Sequence, residues 1–211
     1  MATRFLQRYN AGDRTNHWLI VLFFLGAGLS GLAFFHPGFY FLTALFGGGT
    51  WARILHPFMG LLMALCFVFM FFKLWRHNRM TELDKQWMQH SGEMLRGDKS
   101  RMPPAGRYNA GQKIVFWVMV VSLGVLTLTG FIFWQPWFAD SFPIIARRIA
   151  VVLHALSATV LILTVIVHVY AAIWVKGTLR AMTRGTVTEG WARQNHPLWH
   201  REMTDGVKQA E

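Results

Sequence analysis

The sequence predicts an all-helical integral membrane protein, a bundle of four membrane-crossing helices with both chain ends in the cytoplasm. Three observations carry that reading. Hydrophobic residues fill 54% of the 211 positions and charged residues only 15%, which fits neither a disordered chain nor an ordinary soluble domain. The apolar residues gather into four long stretches, 17–35, 54–74, 113–134 and 147–175, each near the ~20 residues that a helix needs to cross about 30 Å of hydrocarbon. Basic residues are spread unevenly around those stretches.

The first stretch follows Arg4, Arg8 and Arg14 and runs through the small residues of GAGLSG. A secretory leader has the same ingredients, but this run exceeds the ~7 to 15 residues of a leader core and is read as a retained span. Residues 36–50 contain no lysine or arginine, and 37–46 are expected along the outer surface. The second stretch holds Cys66, the sole cysteine. One cysteine excludes an internal disulfide, an iron–sulfur cluster, a four-cysteine zinc site and thioether-linked haem within this chain. The connector 75–112 carries Arg76, Arg79, Lys85, Arg96, Lys99, Arg101 and Arg107, and Gly97, Pro103, Pro104 and Gly106 mark it as turn-rich. Residues 135–146 again lack basic side chains, whereas six follow the fourth stretch. Within that tail, 188–204 is expected as a short cytoplasmic helix broken near Pro197.

Lysine and arginine resist translocation, so this distribution places both termini and the long connector in the cytoplasm. It also accounts for the net charge of +11 without a nucleic-acid partner. Trp18, Trp75, Trp117, Trp134 and Trp174 fall near span ends, where an amphipathic ring suits the headgroup region. No internal repeat or low-complexity tract stands out, and one domain over 1–211 is expected.

Of nine histidines, His36, His77, His90, His196 and His200 lie in loops or at polar edges and are read as solvated. The other four are not. His17 opens the first span, His56 opens the second, and His154 and His168 lie within the fourth. The orientation puts His17 and His168 at the inner depth and His56 and His154 at the outer one. Fourteen residues separate the last two along one helix, about 21 Å of rise, and return the second imidazole to within ~40° of the first. Ionisable groups inside a membrane are costly without a partner. Haem iron takes two facing imidazoles, its macrocycle lies between helices, and no thioether bond is needed. Two haems b, one near each face, are therefore expected, with His17/His168 and His56/His154 as axial pairs. Zinc would want three or four ligands at one depth, and a proton relay would bring carboxylates into the spans. Arg14 and Arg53, three residues before His17 and His56, and Arg147 and Arg148 either meet haem propionates or snorkel to headgroups.

The residues also carry a resemblance. TNHW in the first span, WARILHPFMG in the second, GRYNAGQK before the third, and two histidines fourteen apart followed by VYAAIWVKGT in the fourth resemble the cytochrome b (gamma) subunit of respiratory, membrane-bound formate dehydrogenase. The similarity extends to the tail WARQNHPLWHRE. It implies a multi-pass subunit of the bacterial inner membrane, bearing two haems b and anchoring a periplasmic module. That module would comprise an iron–sulfur (beta) subunit and a catalytic molybdenum or tungsten (alpha) subunit, and the heterotrimer would form a higher oligomer. Electrons would pass from the outer haem to the inner one and reduce menaquinone or a related quinone. The resemblance puts the quinone at Asn109, Gly111 and Gln112; from the residues alone, that segment reads as a glycine-containing connector. Gln135 stands where related chains tend to have arginine, and Arg76 where they often have histidine. A cytochrome b for another periplasmic enzyme, such as a nickel–iron hydrogenase, is the near alternative, and a haem-free anchor or transporter the distant one.

Overall fold

The computed structural model describes residues 4–96 and 102–208, so Gly97, Lys99 and Arg101 lie outside the described residues. Four long helices, α1 (Ala11–Phe35), α2 (Gly49–Leu74), α5 (Ala110–Phe133) and α6 (Ile144–Trp174), coincide with the four apolar stretches. Each is long and apolar enough to cross a membrane. Their C-terminal ends fall where hydropathy ends, but their starts come earlier: 17 becomes 11 and 113 becomes 110. Polar first turns explain the difference. Asn10 and Asp13 exchange backbone-to-side-chain hydrogen bonds at the head of α1, and Asn109 and Gln112 do the same at the head of α5. Each box satisfies N–H groups that a helix start leaves without partners.

The described residues fall into two compact units. One is drawn from Thr15–Phe72 and Val118–His168. In it, Met63, Ala64 and Phe67 of α2 pack with Leu123 of α5, and Ile20, Phe23 and Phe24 of α1 close over them. The outward faces are apolar too, with Leu22, Phe69, Leu128 and Leu163 all more than half exposed, as lipid-facing positions require. Ala27, Ser30 and Ala33 line the buried stripe of α1, small residues that allow close approach. Residues 37–46, expected on the outer surface, form a 3₁₀ run, Pro37–Phe46, started by His36, whose Nδ1 accepts from the Gly38 amide at 3.0 Å.

The other unit comes from Met1–Arg14, Lys73–Trp117 and Val169–Glu211. Strand β1 (Phe5–Gln7) pairs antiparallel with β2 (Thr186–Thr188), Leu6 facing Val187. The connector is more ordered than a turn-rich reading implies: it holds α3 (Glu82–Gln89) and α4 (Ser91–Leu95). Asp84 of α3 receives the Lys113 ammonium at 2.6 Å, both side chains buried. Beyond α7 (Thr178–Arg184) and β2, the tail forms α8 (Glu189–Asn195) and α9 (Pro197–Lys208), interrupted at His196 and Pro197 as the proline predicts.

This unit overturns the expectation that no internal repeat exists. Arg8-Tyr9-Asn10-Ala11-Gly12 recurs, residue for residue, as Arg107-Tyr108-Asn109-Ala110-Gly111, and the two copies bind each other. Arg8 Nη2 donates to the Arg107 carbonyl at 2.6 Å, Arg107 Nη2 donates to the Arg8 carbonyl at 2.8 Å, and the hydroxyls of Tyr9 and Tyr108 meet at 3.0 Å. Reciprocal contacts between like segments are the mark of a two-fold relation. The sequence signal was there, but five residues 99 apart are too brief to register as a period.

Candidate functional site

The structure brings the four membrane histidines together as two pairs within one unit. His56 of α2 and His154 of α6 stand edge to face, ring centroids 6.2 Å apart. His17 of α1 and His168 of α6 lie within electrostatic reach of one another, and the His17 Nδ1 is buried without a hydrogen-bond partner.

Hydroxyls fix the His56–His154 pair. The Ser30 hydroxyl contacts His56 Nδ1 at 2.9 Å and the Gly26 carbonyl at 2.7 Å. The Thr129 hydroxyl contacts His154 Nδ1 at 3.0 Å and the Val125 carbonyl at 2.6 Å. A carbonyl can only accept, so the single hydroxyl proton goes to it, and the hydroxyl oxygen then accepts from the imidazole Nδ1–H. Each ring is thereby held as the tautomer whose Nε2 carries a free lone pair. Next to each hydroxyl stands a glycine, Gly31 or Gly130. A Cβ there would lie 3.2 Å from His56 Cε1 or 3.6 Å from His154 Cε1. The sequence reading missed Ser30 and Thr129; a Ser-Gly and a Thr-Gly step, 26 and 25 residues before a histidine, was the available signal.

The turn at Asn109, Gly111 and Gln112 lies in the other unit. The side-chain oxygens of Asn109 and Gln112 cap α5, which leaves their amide NH₂ groups as donors. A Cβ on Gly111 would come within 3.2 Å of the Trp87 ring, so glycine there eases close packing against α3. A cavity of about 150 Å³ adjoins the turn, lined by Asp84, Trp87, Tyr108, Asn109, Lys113 and Leu198 among others.

One group of expectations needs adjustment. His196 is not solvated but 1% exposed. Its Nδ1 donates to the Gly106 carbonyl at 2.8 Å, its Nε2 lies 3.5 Å from Arg8 Nη2, and its ring tilts over Trp191. Burial first, then the Arg8 charge, push its pKa down to about 4. His200 likewise meets Glu189 at 3.1 Å. Of the arginines assigned alternately to propionates or headgroups, Arg14 spends Nη1 on the Thr183 carbonyl at 2.7 Å, Arg147 reaches Asp140 at 3.5 Å, and Arg53 is exposed.

Comparison with known proteins decides the class. Residues 8–185 match the family model described as prokaryotic cytochrome b561. The chain belongs to the prokaryotic cytochrome b561 family. It is 43% identical over 196 residues to the cytochrome b556(fdo) subunit of formate dehydrogenase from Escherichia coli (strain K12), covering 93% of this chain and 92% of that one. To the nitrate-inducible cytochrome b556(Fdn) subunit of the same organism it is 39% identical, over 90% and 88% of the two chains. The formate dehydrogenase cytochrome b556 subunit of Haemophilus influenzae is 38% identical over 92% of this chain and 82% of its own length. This cytochrome is accordingly a multi-pass electron-transfer protein of the bacterial inner membrane, and its family implies haem b.

The residues present fit such a group. The imidazoles of His56 and His154 are neutral donors with Nε2 free, the tautomer an axial ligand needs. Their 6.2 Å centroid separation matches roughly 6 Å for two metal–nitrogen bonds of about 2 Å plus the half-rings on either side.

Proposed function

We propose that this cytochrome is the membrane subunit of a formate dehydrogenase complex. In this reading His56 and His154 hold an outer haem b, His17 and His168 hold an inner one, and quinone is reduced beside Asn109, Gly111 and Gln112. The observation that carries it is the facing of His56 and His154, each fixed in a ligating tautomer, with His17 and His168 within electrostatic reach of one another. The relatives named above are subunits of formate dehydrogenases, which supports partner subunits; the partners in this reading are a periplasmic catalytic subunit and an iron–sulfur subunit, in a heterotrimer that forms a higher oligomer. The basic residues support cytoplasmic termini, so electrons released outside travel inward.

When bound, haem b supplies a one-electron carrier at each level. The chain's own residues do the rest. The histidines fix iron, the apolar spans keep water out, and the amide donors of Asn109 and Gln112 are suited to the carbonyls of menaquinone or a related quinone. The adjoining cavity, at about 150 Å³, is about the size that admits a single benzene-like ring.

Haem stoichiometry and redox titration of purified variants test the ligands. His56→Ala and His154→Ala should each lose the same haem, and His17→Ala and His168→Ala the other; crossed losses would overturn the pairing. Formate added to native membranes should reduce both haems, and haems that formate leaves oxidised would transfer the subunit to another dehydrogenase. Asn109→Asp keeps the helix cap but removes the amide donor. It should slow quinone reduction while both haems remain reducible by formate.

A further inference from the structure

We infer that the outer haem site is two-fold matched, with Ser30 and Thr129 as equivalent positioning residues that set its redox potential through Nδ1 of His56 and His154. The inference rests on the assignment of those histidines as ligands and goes beyond it.

Two matches at one offset, and a third one residue short of it, carry the inference. The copies Arg8–Gly12 and Arg107–Gly111 are 99 residues apart and bind reciprocally. The same offset carries Ser30-Gly31 onto Thr129-Gly130. His56 and His154 fall 98 apart, and each sits on its own copy's hydroxyl, at 2.9 and 3.0 Å. In both, that hydroxyl is anchored to the carbonyl four residues before it. The α1–α2 hairpin and the α5–α6 hairpin are therefore two versions of one unit, and each contributes one imidazole held in the same way.

The inner pair breaks the pattern. The offset of 99 carries His17 onto Phe116, the offset of 98 seen between His56 and His154 carries His168 back onto Met70, and the buried Nδ1 of His17 has no protein partner. Hydrogen bonding to the far nitrogen makes an imidazole a stronger donor, which stabilises ferric iron and lowers its potential. Two such bonds at the outer site, against an unpartnered His17, tilt electron flow from outside inward.

Potentiometric titration of the full-length protein carrying both haems tests this. Ser30→Ala and Thr129→Val should each raise the outer potential by similar amounts, a few-fold and up to about tenfold in the oxidation equilibrium, which is ~59 mV for one electron. The double variant should add the two shifts. The inner haem should stay unmoved, and Ser30→Thr and Thr129→Ser should titrate as the unaltered protein does. Thr129→Val keeps the side-chain shape, so it carries the test if Ser30→Ala fails to assemble. A shift in one single variant but not the other, equal shifts at both haems, or no shift at all would overturn the inference while leaving the ligands in place. Retention of both haems by His56→Ala would instead overturn the ligand assignment beneath it.

Discussion

At the scale of single residues, this cytochrome shows how a hydroxyl decides the chemistry of an imidazole. A histidine in hydrocarbon has two nitrogens to satisfy, and Ser30 and Thr129 each take one. The four histidines themselves stand out in the sequence, as ionisable side chains in or at the edge of long apolar runs, and helix geometry sets His154 and His168 on one side of their span. Their hydroxyl partners were not, since a serine or threonine in a span more often bonds only its own helix. His196 shows the reverse error. Its place in a polar tail reads as solvated, yet contacts far apart in sequence bury it. Its folded pKa of about 4 lies below the ordinary ~6.5, so only the unfolded state takes up a proton between those values. Stability of the docked tail is full above about pH 6.5 and is lost as pH falls toward 4, by about 3 kcal/mol in total. Hydrogen exchange over α8 and α9 should accelerate across that window, and His196→Asn should flatten the dependence.

At the scale of elements, helix ends were the least legible part. Hydropathy marks where a span enters hydrocarbon, not where its first turn is capped, so α1 and α5 begin earlier than the apolar runs do. The connector was misjudged for a related reason. The order of α3 depends on a buried contact, Asp84 with Lys113, from residues 29 apart. Burial works to raise the Asp84 pKa, but the hydrogen bonds from Lys113 and Thr81 outweigh it and hold the carboxyl below its usual range. Asp84→Asn would leave the Lys113 ammonium buried with no counter-charge. Losses of that kind typically cost about 3–5 kcal/mol, and thermal unfolding of the purified protein should show the drop.

At the scale of the whole molecule, fold class and membrane character followed from apolar run length and the placement of basic residues, two signals that tertiary detail does not disturb. The near-duplication of the two hairpins did not, because only five consecutive residues preserve it and its meaning rests on contacts. A cation buried in one of those copies gives another expectation. Arg8 is 5% exposed, and rings of Trp199, Trp191, Tyr108 and Tyr9 surround it at 4.6 to 5.9 Å. Desolvation lowers its pKa, and the aromatic faces and the Arg107 carbonyl bear its charge. Arg8→Ala should free both the N-terminal segment and the tail, seen as new cleavage near β1 and α8 under limited proteolysis.

The β1–β2 pair has a bearing on biogenesis. Phe5–Gln7 leaves the ribosome before any of the four long helices, yet its pairing partner, Thr186–Thr188, follows all of them. The clasp between them therefore shuts only after the fourth crossing has been threaded, making it a natural checkpoint on finished insertion. A nascent chain arrested before Thr186 should leave an epitope at its N-terminus open to antibody, and release of the complete chain should hide it.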